Sequence, residues 1–104
     1  MINKEQVNQF NEKGYLVLEN LLPNETLYEL QKTTDDFVEK SKQITESDYI
    51  FDLSDTHTSN NPSVRRLKAP HEIHESYSRI IRNQIIIDVV SELIGENIKC
   101  DQSR

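Results

Sequence analysis

Apolar and polar residues alternate over residues 15–21: Leu16 and Leu18 point one way, Tyr15, Val17 and Glu19 the other. A period of two, carried by aromatic and branched side chains, predicts a strand. Pro23 ends it, because proline has no N–H to give a sheet ladder. Asn24 is then placed to cap a helix, its side-chain oxygen accepting from a free amide of the first turn. Leu27, Leu30, Phe37 and Val38 fall on one face of that helix. Upstream, residues 3–13 predict a first helix. Asn3 is its cap, Gln6 sits where a side chain reaches back, and Ile2 is spaced to pack on Val7. Gly14 closes it, free to take the left-handed conformation of a C-terminal turn.

Beyond the second helix, residues 41–61 are polar and irregular, with a short strand expected at residues 49–53. Residues 63–68 predict another strand with a basic middle, in which the period of two sends Arg65 and Arg66 to opposite faces. Pro70 precedes a third helix over residues 71–82, with Ile73, Tyr77, Ile80 and Ile81 on its buried face. Asn83 caps a fourth helix running to Ile94, whose stripe of Ile86, Val89, Val90 and Leu93 is widened by Ile85 and Ile87. It is expected to be the most buried helix. Gly95 closes it as Gly14 closes the first. Residues 97–104 alternate again, Ile98, Cys100 and Gln102 against Lys99, Asp101 and Ser103. The sequence stops in the middle of this expected strand, which points to a truncated domain with exposed strand edges through which chains associate.

With 104 residues the chain is one domain or part of one. Its aliphatic content permits a core, though a modest one, since a chain this short buries only about 60–65% of its unfolded surface. A formal charge of −6 disfavours nucleic acid as a partner, because phosphate binding needs a basic face. Cys100 is the single cysteine, so no internal disulfide is available, and as part of a strand it reads as a small apolar residue. No run approaches the roughly 20 apolar residues of a membrane span, and the N-terminus lacks the apolar core of a signal peptide. A cytoplasmic protein is the expectation.

Candidate chemistry is sparse. Asp55-Thr56-His57 lies in a Ser/Thr/Asn-rich loop and reads as solvated. His71 and His74 lie three apart on the expected helix, a spacing able to bind metal, but no clear third ligand accompanies them. For the basic strand, two readings compete. One is a surface ion pair to a neighbouring carboxylate, which the sequence favours. The other is an arginine at a cavity wall, where a guanidinium clamps a carboxylate at two points.

The opening stretch Phe10-Asn-Glu-Lys-Gly-Tyr-Leu-Val-Leu-Glu-Asn-Leu-Leu-Pro23 resembles the start of the phytanoyl-CoA dioxygenase family. Val64-Arg-Arg-Leu-Lys-Ala-Pro-His71 is similar to the family's basic strand before a helical pair, and residues 86–98 to the helix, glycine and strand that follow. Gln102-Ser-Arg104 resembles the beginning of its next motif. The resemblance implies an α+β fold: residues 1–104 as the N-terminal helices and strands of a double-stranded β-helix, or jelly roll, cut before the metal-binding strands. It implies a non-haem iron oxygenase that consumes Fe(II), O2 and 2-oxoglutarate and hydroxylates a small organic substrate. The family's His-x-Asp and distal His lie downstream of the matching motif, and this sequence has no His-x-Asp. The chain alone is therefore expected to be inactive and to hold no cofactor. Three family positions do fall here: Arg66 and Arg104 beside the co-substrate, and Gln102 beside the substrate. The rival expectation is a non-catalytic shortened relative that acts as a binding module; a third is an unrelated small acidic protein.

Overall fold

The computed structural model describes residues 2–104. Helix α1 spans Lys4–Lys13 and opens with the expected reciprocal cap: Asn3 Oδ1 accepts from the Gln6 amide at 2.8 Å, and Gln6 Oε1 from the Asn3 amide at 2.9 Å. Gly14, at φ +83°, closes it by donating to the Phe10 carbonyl at 2.8 Å.

The alternating stretch that follows is extended but is not a strand. No strand pairs with it, and no backbone hydrogen bond joins residues 15–17 to the rest of the described residues; a turn at Glu19 and Asn20 follows. The alternation itself survives. Leu16 and Leu18 are half-buried, while Tyr15 and Val17 are 57% and 71% exposed.

Helix α2 spans Asn24–Ser41 and is capped by Pro23, not Asn24. Proline's fixed φ, here −59°, suits a helix entry, and its carbonyl accepts from the Thr26 and Leu27 amides. Thr33, Phe37 and Ser41, four apart, form the buried stripe of α2, whereas Leu27 stays exposed. The core gathers on that stripe. Phe37, Phe51 and Leu53 are buried together, with Ile44, Val64, Leu67, Ile73 and Tyr77 packed around them.

Strands β1 (Phe51–Leu53) and β2 (Val64–Leu67) form one antiparallel hairpin. Phe51 pairs with Leu67 and Asp52 with Arg66, but Leu53 pairs with Val64, leaving Arg65 as an extra residue in β2. A bulge of this kind breaks the alternation locally. Val64 and Leu67, three apart, both reach the core, and Arg65 and Arg66 are both exposed and border the same cleft. The expectation that the two arginines face opposite ways is thereby corrected.

The expected third helix is two: α3 (Pro70–Ile73) and α4 (Glu75–Ile81). The break falls at His74, whose backbone is extended and whose Nδ1 accepts from the Ser76 amide at 3.0 Å, capping α4. A side chain that can satisfy a free amide competes with helix continuation. Helix α5 (Gln84–Ile94) begins as expected, with Asn83 Oδ1 accepting from the Ile85 and Ile86 amides. Yet only Val89 is buried in it, and Ile94 is 64% exposed; among the helices α5 packs chiefly on α1 and α4. Gly95 has a positive φ but an extended ψ of 166°, so it does not repeat the turn at Gly14.

Residues 96–104 form an irregular tail in place of the expected strand. Cys100 is exposed in it and does not serve as an apolar residue of a sheet face. The tail is fastened at Ser103, whose carbonyl accepts from the Ala69 amide at 3.2 Å. The whole is elongated, 49 × 28 × 24 Å, with a radius of gyration of 16.7 Å against about 13 Å for a compact domain of this length. Its accessible surface is 7883 Å2, roughly 1,800 Å2 more than a compact monomer of this mass exposes.

Candidate anion-binding cleft

One open cleft of about 830 Å3 lies between α2, β2, the α3–α4 pair and the tail. Its floor is apolar: Leu30 and Val38 from α2, Val64 and Leu67 from β2, Pro70, Ile80 and Ile81 from the helical pair. Its rim carries Arg65, Arg66, His71 and Arg104, with Thr34, Tyr77 and Ser103 supplying hydroxyls. No acidic side chain lines it. In a chain with a formal charge of −6, this is a locally basic lining.

The cationic groups differ in how far they are committed. Arg66 Nε forms an ion pair with Asp52 Oδ2 at 2.8 Å, across the β1–β2 pair that sets the two residues opposite each other. The surface ion pair favoured by the sequence is thus present, although Arg66 also borders the cleft. Arg65, the bulged residue, makes no ion pair or side-chain hydrogen bond within the described residues. Arg104 Nη2 donates to Gln102 Oε1 at 3.0 Å. Gln102 itself is exposed and outside the cleft, so it touches the site only by orienting Arg104. His71 Nδ1 is hydrogen-bonded to Ser103 Oγ, which also accepts from the His71 amide at 3.5 Å. This pairing draws the tail, and Arg104 with it, to the cleft mouth. Thr34 Oγ1 and the Tyr77 hydroxyl are 2.6 Å apart on the opposite wall.

Ala69 stands at the hinge between β2 and α3 with φ +45° and ψ +58°, a left-handed conformation that a residue with a Cβ adopts at a cost. It turns the chain sharply enough to set His71 beside Ser103.

A second polar cluster joins α2 to α4. The Ser76 hydroxyl donates to Glu29 Oε1 at 2.9 Å and lies 3.0 Å from Thr33 Oγ1, and Arg79 Nη2 donates to the same Glu29 oxygen. The Ser76 hydroxyl first, then Arg79, holds the Glu29 carboxyl below the usual carboxylate range. Every polar group in this latch is engaged by another, so it reads as a fastening.

His57 is not the solvated loop residue expected. Its Nδ1 accepts from the Ser63 amide at 2.9 Å, and its Nε2 lies 3.0 Å from the Ser41 carbonyl and 3.2 Å from that of Ile44. The Ser63 N–H fixes Nδ1 as the acceptor, so the proton sits on Nε2 and is shared between two carbonyls. The ring pins the C-terminal end of α2 to the start of β2. The sequence carries a faint signal of this: α2 ends with no glycine cap, leaving terminal carbonyls that need a donor from elsewhere.

The three histidines are therefore occupied separately: His57 as a pin, His71 on Ser103, His74 as a cap. Among the described residues no group of three His, Cys, Asp or Glu side chains is gathered to hold a metal ion. No helix among them is long and apolar enough to cross a membrane. Compared with protein-family models, with curated proteins and with solved structures, the chain matches none, so the likeness to the oxygenase family rests on the sequence motifs alone.

Proposed function

We propose that this chain is the N-terminal part of a cytoplasmic, non-haem iron, 2-oxoglutarate-dependent dioxygenase of jelly-roll fold that hydroxylates a small organic substrate. Its own share of that work is to hold the anionic co-substrate. The observation that carries the reading is the convergence of Arg65, Arg66, Arg104 and His71 on a cleft with an apolar floor and no acidic side chain. A dicarboxylate with a short carbon chain suits such a lining: the chain lies on Leu30, Val38 and Ile81, and a guanidinium takes a carboxylate by two parallel hydrogen bonds. Within the cleft, Arg65 has the freest guanidinium, while Asp52 already offsets part of the charge of Arg66. The residues present do not fit iron. Its ligands would come from sequence outside these 104 residues, and no catalytic step is assigned to this chain.

The test is a titration of the isotope-labelled chain with 2-oxoglutarate, followed by NMR. Shifts are expected at the Arg65 and Arg104 side chains and at the amides of His71 and Ser103. Arg65→Ala is expected to weaken binding by roughly tenfold, the scale of losing one partner of a charged hydrogen-bonded pair. Arg66→Ala is expected to do less. No shifts at millimolar ligand, or the same shifts with sodium chloride at matched ionic strength, would overturn the reading. Incubated with Fe(II), 2-oxoglutarate and O2, the 104-residue chain is expected to release no succinate above a protein-free control. A longer form carrying His-x-Asp is expected to release it.

The second reading, a module that works by binding another chain, is favoured by one observation: the unpaired, extended stretch over residues 15–17.

A further inference from the structure

We infer that residues 15–17 form a short two-stranded antiparallel ladder with the same residues of a second copy, making the protein a symmetric dimer. Four observations meet at this segment. Its backbone is extended, and none of the N–H or C=O groups of residues 15–17 is hydrogen-bonded within the described residues. Such a row of free donors and acceptors is a template for another strand. Its side chains alternate, with Leu16 and Leu18 turned toward the protein and Tyr15 and Val17 turned out at 57% and 71% exposure.

The segment is also self-complementary. In an antiparallel pair, residues directly opposite each other share a face, so the two-fold axis must pass through a residue and not between two. An axis through Leu16 sets each exposed Tyr15 opposite the partner's Val17, an aromatic–branched pair of the kind that stabilises sheets. An axis through Val17 would instead set Tyr15 against the partner's Glu19 and lose that pair. Apolar matching selects Leu16.

The amount of bare surface points to a second copy as well. The chain exposes roughly 1,800 Å2 beyond what a compact monomer of its mass does, and an ordinary stable dimer hides about 800 Å2 per partner. The exposed Tyr15–Val17 face lies next to a groove bordered by Ile2, Leu18 and Ile85, so a ladder here would continue onto α1 and α5. This inference is independent of the co-substrate reading, since the cleft is lined by other segments.

The experiment is sedimentation of the full chain across a concentration series, with two variants. Wild type is expected to dimerise reversibly in the micromolar range. Val17→Lys, at a position too exposed to disturb folding, is expected to raise the dimer dissociation constant by roughly tenfold or more. Tyr49→Lys, at an 82% exposed tyrosine elsewhere, is expected to leave it unchanged. Register is read by oxidative cross-linking in a Cys100→Ser background. Tyr15→Cys mixed with Val17→Cys is expected to give a mixed disulfide faster than Val17→Cys alone gives its own. A monomer at every concentration overturns the inference, and so does a dimer indifferent to Val17→Lys. Preferential Val17→Cys self-linking overturns the register, moving the axis to Val17.

Discussion

Ala69, at the hinge between β2 and α3, is held where its side chain does not want to be, at φ +45°. A left-handed conformation costs a residue with a Cβ about 1–2 kcal/mol, whereas glycine adopts it freely. Glycine also gains about 0.4–1 kcal/mol of disorder in the unfolded chain, which works the other way. The balance leaves Ala69→Gly stabilising by roughly 0.5–1 kcal/mol, readable as a rise in melting temperature by circular dichroism. A fall would mean that the Ala69 methyl contributes packing that outweighs its backbone cost. Little of this is visible in the sequence, since alanine gives no hint of a positive φ. Asn20 does: at φ +56° it occupies a turn where asparagine is among the residues that tolerate the conformation.

At the scale of elements, the hairpin depends on Asp48 as much as on its own ladder. Asp48 Oδ1 accepts from the Phe51 amide at 2.7 Å and the Ile50 amide at 2.8 Å, and the Lys68 ammonium donates to its carbonyl. Chiefly the Phe51 amide, then that of Ile50, with Lys68 assisting, keep the carboxyl below its ordinary range. A carboxyl that binds its proton less readily when folded stabilises the fold fully above the unfolded value, about pH 4, and loses that contribution as pH falls toward the folded value. Thermal melts are therefore expected to drop as pH falls below about 4. Asp48→Asn is expected to melt lower at neutral pH and to lose less over the same acid range. Parallel pH profiles for the two proteins would remove Asp48 from this role. The elements that sequence reasoning recovers here are those fixed by neighbours a few residues away: the caps at Asn3 and Asn83, the turn at Gly14, the strand before Pro70. The bulge at Arg65, the break at His74 and the pin at His57 escape it. Each depends on a partner brought in by the fold, so spacing along the chain carries no mark of it.

At the scale of the molecule, the same distinction explains the cleft. The family resemblance singles out Arg66 and Arg104, but nothing in the sequence places Arg65 beside them, because that follows from one extra residue in β2. The alternation at residues 15–17 declares two faces, and not whether a neighbour exists to pair with them. One further feature bears on how the molecule assembles. Helix α1 buries none of its residues and rests on α5, with the Ile2 amide donating to Glu92 Oε2 from 90 positions away in sequence. Bringing such distant segments together costs loop-closure entropy before any contact rewards it. Helix α2 and the hairpin, in contrast, are near neighbours in sequence and share the buried rings of Phe37 and Phe51. Assembly is thus expected to run from the centre outward, with α1 docking last and leaving first. Amide hydrogen exchange reads this order: the α1 amides exchange well before those around Phe37, without unfolding of the rest, and equal protection of the two helices would contradict it.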